Sequence, residues 1–158
     1  STSDWLHAGT TECQVAELAS GRLYMNIRPY VGWDDSANVR LTVYSEDAGS
    51  TWGPVLADEH LIDYEFADEG SIASDPVSNN VFYLHPDAQD RSNMTLWRGF
   101  ENGTSGLVEW TGTTNVFPGA SEYSDVVVLG SGVTDPTVAC LFETGNYDAI
   151  SFSTVDFS

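Results

Sequence analysis

Lysine is absent from the 158 residues, and all five basic residues are arginines set against 24 acidic ones. The formal net charge is -19, which argues against nucleic acid or an anionic membrane as the main partner. It suits solubility, a salty medium or an acidic compartment. No apolar run is long enough to span a membrane, and no leader-type segment opens the chain. The chain starts "STSDW" at Ser1, as a processed or trimmed chain would. Only two cysteines occur, so no disulfide framework is expected. Cys13 and Cys140 both lie in apolar, strand-like runs and read as buried free thiols, or as a disulfide pair. His7, His60 and His85 have no metal-ligand spacing, and His85-Pro86 reads as a turn. No glycine-rich loop leads from a strand into a helix, which excludes a nucleotide site of the usual kind.

Amphipathic helical periodicity is also missing. What is there is β-type patterning. Hydrophobic residues make up 41% and aromatics 12%, enough for a packed core in one domain. Short apolar or alternating runs separated by turn residues predict strands in "CQVAEL", "RLYMNIR", "VRLTVYS", "NVFYLH", "MTLWRGF", "YSDVVVL", "TVACLFE" and "YDAISFSTV". Weaker ones are expected in "GPVLADE" and "GSIASD". Roughly ten strands at this spacing imply an all-β sandwich, barrel or propeller. "GASEYSDVVVL" reads as a turn leading into a strand, with Tyr123 at its entry. Sequons at Asn93 and Asn102 mark glycosylation positions if the chain is secretory.

One turn is more specific. "SEDAGSTW" runs from Ser45 to Trp52 in the pattern S-x-D-x-G-x-T-W. Asp47 is placed to bond backbone N–H groups, Gly49 to take φ > 0, and Trp52 to enter the core. This resembles the Asp-box, a structural hairpin turn of sialidase-type β-propellers. "FENGTSGLVEW", Phe100 to Trp110, reads as a degraded second copy.

Three further stretches follow in order: "ECQVAELASGRLYMNIR", "YLHPDAQDRSNMTL" and "SEYSDVVVL…VACLFETGNYDAISF". Together with the Asp-box they resemble the sialidase (neuraminidase) family over nearly the whole chain. That family's fold is a six-bladed propeller of about four strands per blade. The resemblance therefore implies an all-β chain of about three four-stranded antiparallel blades, the C-terminal half of such a propeller across residues 1–158. The family's first arginine and its general-acid aspartate belong to the other half. No "RIP" motif and no preceding Asp-box occurs here, so a companion segment or chain carrying that half is expected.

The resemblance implies an exo-α-sialidase, a retaining glycoside hydrolase that removes terminal sialic acids without cofactor or metal. The anomeric carbon of sialic acid carries a carboxylate, and an Asp or Glu nucleophile would be repelled by it. Sialidases use tyrosine instead. A phenol has an ordinary pKa near 10, so a base must take its proton. By resemblance Tyr123 is the nucleophile and Glu12 its base, while Arg28 and Arg91 bind the substrate carboxylate. Glu143 matches an acid that holds the absent arginine, and Asp125 is expected to fix the local turn. Period-two alternation puts residues 12, 14 and 16 on one face, away from the competing Glu17. Arg22, Arg40 and Arg98 are expected to be structural or surface residues. By itself, a tyrosine entering a strand is half-buried packing, and an arginine on an acidic surface is a weak ion pair. The contrasting reading is a non-catalytic sialic-acid-binding or structural propeller module. The sequons and acidity point to a secretory, lysosomal or extracellular location, and the "ECQVAE" and "CLFE" wording to cytosolic and lysosomal animal-type enzymes.

Overall fold

The computed structural model describes residues 10–29, 38–64, 69–130, 132 and 135–157; His7 lies outside them. The described residues are all β, with no helix. Four strands form an antiparallel meander in sequence order: β1 (Thr10–Glu17), β2 (Leu23–Pro29), β3 (Val39–Ser45) and β4 (Leu56–Ile62). The other six are β5 (Ser71–Asp75), β6 (Asn80–Pro86), β7 (Ser92–Glu101), β8 (Val108–Leu129), β9 (Thr137–Thr144) and β10 (Ala149–Asp156). They are hydrogen-bonded in the order β10-β9-β8-β7-β6-β5.

The 22-residue β8 serves two leaves. Its first part, from Val108 to Ala120, pairs with β7, and its second, from Ser121 to Leu129, pairs with β9. The described residues thus make leaves of four, four and three strands, where the sequence leads one to expect four in each. Side chains tie the first strands of the leaves together. The Ile72 N–H donates to Gln14 Oε1 at 3.1 Å, joining β5 to β1, and the Ser71 and Ser124 hydroxyls meet at 2.9 Å, joining β5 to β8.

Packing explains why the middle leaf is so apolar. β6 is buried along its whole length because both its faces are covered. Val81 and Tyr83 face the first leaf and pack with Leu18, Tyr24, Tyr44 and Leu61. Phe82 and Leu84 point the other way and pack with Met94, Leu96, Val126, Val138, Cys140 and Phe142. The far side of the first leaf carries a smaller cluster, Ile27, Leu41 and Val43, with Trp52 against it.

The turn Ser45 to Trp52 is built as its sequence suggests. Asp47 accepts the Thr51 N–H and hydroxyl at 2.7 Å each, Ser45 Oγ accepts the Gly49 N–H at 2.9 Å, and Gly49 has φ 84°. Other expectations need correction. No turn precedes Tyr123; Gly119 to Ser121 lie inside β8. His85 and Pro86 end β6 rather than forming a turn, which a proline tolerates at a strand end. His85 is buried, and burial, with Arg40 nearby, pulls its imidazole down to about 3, so it stays neutral. Both cysteines are free, but only Cys140 is buried; Cys13 is exposed on β1. Asp125 lies mid-strand, its carboxylate accepting the Val126 N–H.

Phe82 fills the seam between the second and third leaves at 0% exposure. Phe82→Ala should cost about 3–5 kcal/mol of stability, read as a lowered denaturation midpoint. A loss under 1 kcal/mol would mean that the two leaves do not share this core.

Candidate functional site

The sequence-predicted residues gather at one end of the strands, where backbone irregularities aim them. Glu12 sits in a β-bulge between Thr11 and Cys13, with φ 41°. Alternation resumes beyond the bulge: Gln14 and Ala16 turn inward and Glu17 outward. A second register shift, between Ser121 and Ser124, interrupts β8 where it passes from one leaf to the next. Bulges re-aim side chains in this way. Here they bring together two residues 111 positions apart: Tyr123 donates its hydroxyl to Glu12 Oε1 at 2.7 Å.

The other Glu12 oxygen accepts a hydrogen bond from Arg28, at the end of β2, at 2.5 Å. Tyr123, Glu12 and Arg28 are therefore one connected group. Burial raises the Glu12 carboxyl pKa, but the hydrogen bonds from Arg28 and Tyr123 and the charges of Arg28 and Arg40 outweigh it. The net result is a carboxyl below its ordinary value, ionised and able to accept a proton. Its contribution to stability is present above the ordinary carboxylate pKa and fades as pH falls through the lowered value.

Behind this group lies a buried polar layer. Arg40 donates to Asn26 Oδ1 at 2.9 Å and to Asp63 Oδ2 at 3.2 Å, and sits over the Tyr83 ring. Burial pushes the Asp63 carboxyl up despite Arg40 and Arg28. Arg40 thus has the structural role expected of it, but in the interior. Glu143, on β9, accepts the Tyr123 backbone N–H at 3.3 Å, so it touches the strand that carries the tyrosine. Asp125 faces outward two residues along.

Arg91 occupies the turn between β6 and β7 with φ 54°. It is bonded to Glu122 at 2.9 Å and to the Tyr147 hydroxyl at 3.3 Å. Sequence reasoning gave neither partner a role. The available signal was a charged residue, Glu122, entering an apolar strand next to Tyr123. Of the sequon residues, Asn102 acts as a turn brace. It accepts the Thr104 and Ser105 N–H groups and donates to Glu109. Asn93 has φ 60°, and its carbonyl accepts the Thr95 hydroxyl. No cluster of metal-ligating side chains occurs among the described residues. Among the described residues no helix is long and apolar enough to cross a membrane.

No protein-family model matches the chain. By sequence it is 26% identical over 162 residues to sialidase-2 of Rattus norvegicus and 27% identical over 154 residues to sialidase-2 of Mus musculus. These matches cover 94% and 89% of this chain but only 41% and 38% of the relatives, so the chain spans about two fifths of their length. By structure it matches the NanB sialidase of Streptococcus pneumoniae with a TM-score of 0.72 and 18% identity, over 96% of this chain and 24% of that one. A leech intramolecular trans-sialidase matches with a TM-score of 0.72 and 22% identity, over 91% and 23%.

Removing the phenol hydroxyl deletes one of the contacts that lower the Glu12 pKa. Tyr123→Phe should therefore move the Glu12 titration upward in carboxyl NMR, with Arg28→Ala moving it further because it removes both a hydrogen bond and a charge. An unmoved Glu12 in both variants would contradict the arrangement. In sequence and in fold alike, the chain resembles the sialidase family over the portion of the family chain that it spans.

Proposed function

We propose that this chain is the C-terminal half of an exo-α-sialidase propeller, which hydrolyses terminal sialic acids from glycoconjugates with retention. The observation that carries the reading is the Tyr123–Glu12 hydrogen bond. Tyr123 attacks the anomeric carbon while Glu12 takes the phenolic proton, and the glycosidic C–O bond breaks as the companion half's general acid protonates the departing oxygen. Water then hydrolyses the sialyl-tyrosine intermediate, and Glu12 returns the proton to the released Tyr123. A neutral nucleophile avoids the repulsion that a carboxylate would meet at a carbon bearing its own carboxylate. Arg28 and Arg91 bind that carboxylate, a task suited to the guanidinium fork. The general acid and a third arginine come from the companion N-terminal half.

Exposed apolar side chains on the third leaf support such a companion. Val127, Leu129, Leu141, Ile150 and Phe152 are 44–67% exposed, and Ile150 and Phe152 lie on the last strand. Contiguous surfaces of this kind mark contact sites. Secretory, lysosomal or extracellular placement is proposed with it, on the acidity and the sequons. Two of the structural neighbours are intramolecular trans-sialidases, so the product deserves identification by NMR.

In the complete propeller, Tyr123→Phe should lower turnover of a fluorogenic sialoside by roughly 10³-fold or more while a sialic-acid analogue still binds. Undiminished turnover would remove Tyr123 from the nucleophile role. The isolated chain should be inactive and bind a hydrophobic dye, and adding the N-terminal half should restore turnover and suppress dye binding. A soluble, dye-silent isolated chain would argue against the half-propeller assignment.

A further inference from the structure

We propose that Glu122 and Tyr147 are positioning residues that hold the Arg91 guanidinium in place for an anionic sugar carboxylate. The inference rests on the sialidase reading and extends it to residues that reading does not use. Three segments converge on Arg91. Its own turn is pinned by the backbone, the Ser121 N–H donating to the Arg91 carbonyl at 2.8 Å and the Arg91 N–H to the Ala88 carbonyl at 3.1 Å. The register shift in β8 sends consecutive side chains apart, with Tyr123 36% exposed and Glu122 only 5%. The turn between β9 and β10 is tied to β8 by the Gly145 N–H, which donates to the Ala120 carbonyl at 2.9 Å. That turn presents Tyr147, at φ 64°, to Arg91.

The energetics favour a fixed guanidinium. A carboxylate as buried as Glu122 is costly unless it is paired, so it commits Arg91 as its partner. Both acceptors take the same terminal nitrogen of Arg91. The guanidinium is a rigid planar fork of five N–H groups, so holding one nitrogen fixes the plane in which the others point. Because Glu122 directly precedes Tyr123, the carboxylate-binding arginine and the tyrosine are set by adjacent residues of one strand. An arginine on a left-handed turn residue with no such brace would pay side-chain entropy each time it bound an anion.

The test uses the complete protein. Glu122→Ala should raise KM for a fluorogenic sialoside about tenfold while kcat stays within about twofold, the size of effect expected from one charge-assisted hydrogen bond. Glu122→Gln, which keeps an acceptor of the same length, should recover most of that loss, and Tyr147→Phe should raise KM about threefold. Guanidinium ¹⁵N relaxation of Arg91, assigned through Arg91→Lys, should show lost order in Glu122→Ala and near-native order in Glu122→Gln. An unchanged or lower KM, or an Arg91 signal equally ordered in all variants, would overturn the proposal. The relaxation measurement needs no turnover. A wild-type protein that fails to hydrolyse sialosides would therefore sink the sialidase reading, while the order of Arg91 would still decide the anchoring.

Discussion

The hydrogen bond between Tyr123 and Glu12 is the contact on which the site depends, because nothing local makes either residue reactive. The two lie 111 positions apart and meet only when the first and third leaves are folded around the second. Each needs a departure from regular strand to do so: a bulge with φ 41° at Glu12, and a register shift around Tyr123. A left-handed non-glycine residue costs on the order of 1–3 kcal/mol and persists only where its surroundings over-determine it. At Glu12 they do, since each carboxylate oxygen receives its own donor. The strain sits where the proposed chemistry does, and the layered apolar core holds the leaves at the spacing that sustains it.

Arginine is scarce here, and each one is placed with care. Arg22 bridges the first and second leaves, bonded to the Gly106 carbonyl and paired with Glu46 and Glu101. Arg40 joins Asn26 to Asp63 in the interior. Arg98 bonds Asn80 and lies over the Phe157 ring. Arg28 and Arg91 are the two at the site end, each paired to a glutamate. Planar bidentate donors suit all these places better than a flexible ammonium would. The pairing at Arg28 and Arg91 also explains how so acidic a chain keeps positive charge near its candidate site: these two guanidiniums are fixed by glutamates that are themselves partly buried.

Much of the fold was legible because burial leaves a period-two trace. The segments from "CQVAEL" to "YDAISFSTV" coincide with strands, and the centre of "NVFYLH", Val81 to Leu84, is a continuous apolar run because β6 is covered on both faces. The first part of β8 was not legible. "VEWTGTTNVFPGA" contains Gly112, Pro118 and Gly119 and buries little, so pairing to β7 rather than propensity makes it a strand. Cys13 was misjudged because the apolar run around it does not reveal which face is covered. The site was legible only in part. Tyr123, Glu12, Arg28 and Arg91 stand in recognisable stretches, whereas Glu122 and Tyr147 matter through a bulge and two turns. Bulge positions follow from tertiary pairing, and strand alternation alone gives no sign of them.

Charge sets the last constraint. With a surplus of 19 negative charges, the chain's long-range field opposes an anionic sugar, whereas attraction must act at contact. Salt at physiological strength screens the distant charges beyond about 8 Å and leaves close, partly buried pairs largely intact. The balance at the site is finer still, because Glu12 already shares Arg28 and Glu122 already shares Arg91. A carboxylate in place of Tyr123 would add a further negative charge beside Glu12, and one guanidinium could not serve it, Glu12 and the substrate together. A phenol adds none until its proton leaves, and in the proposed reaction that proton moves along the hydrogen bond onto Glu12, so the transfer leaves the total charge of the pair unchanged. On the proposed reading, a neutral nucleophile therefore suits this acidic scaffold as well as an anionic substrate.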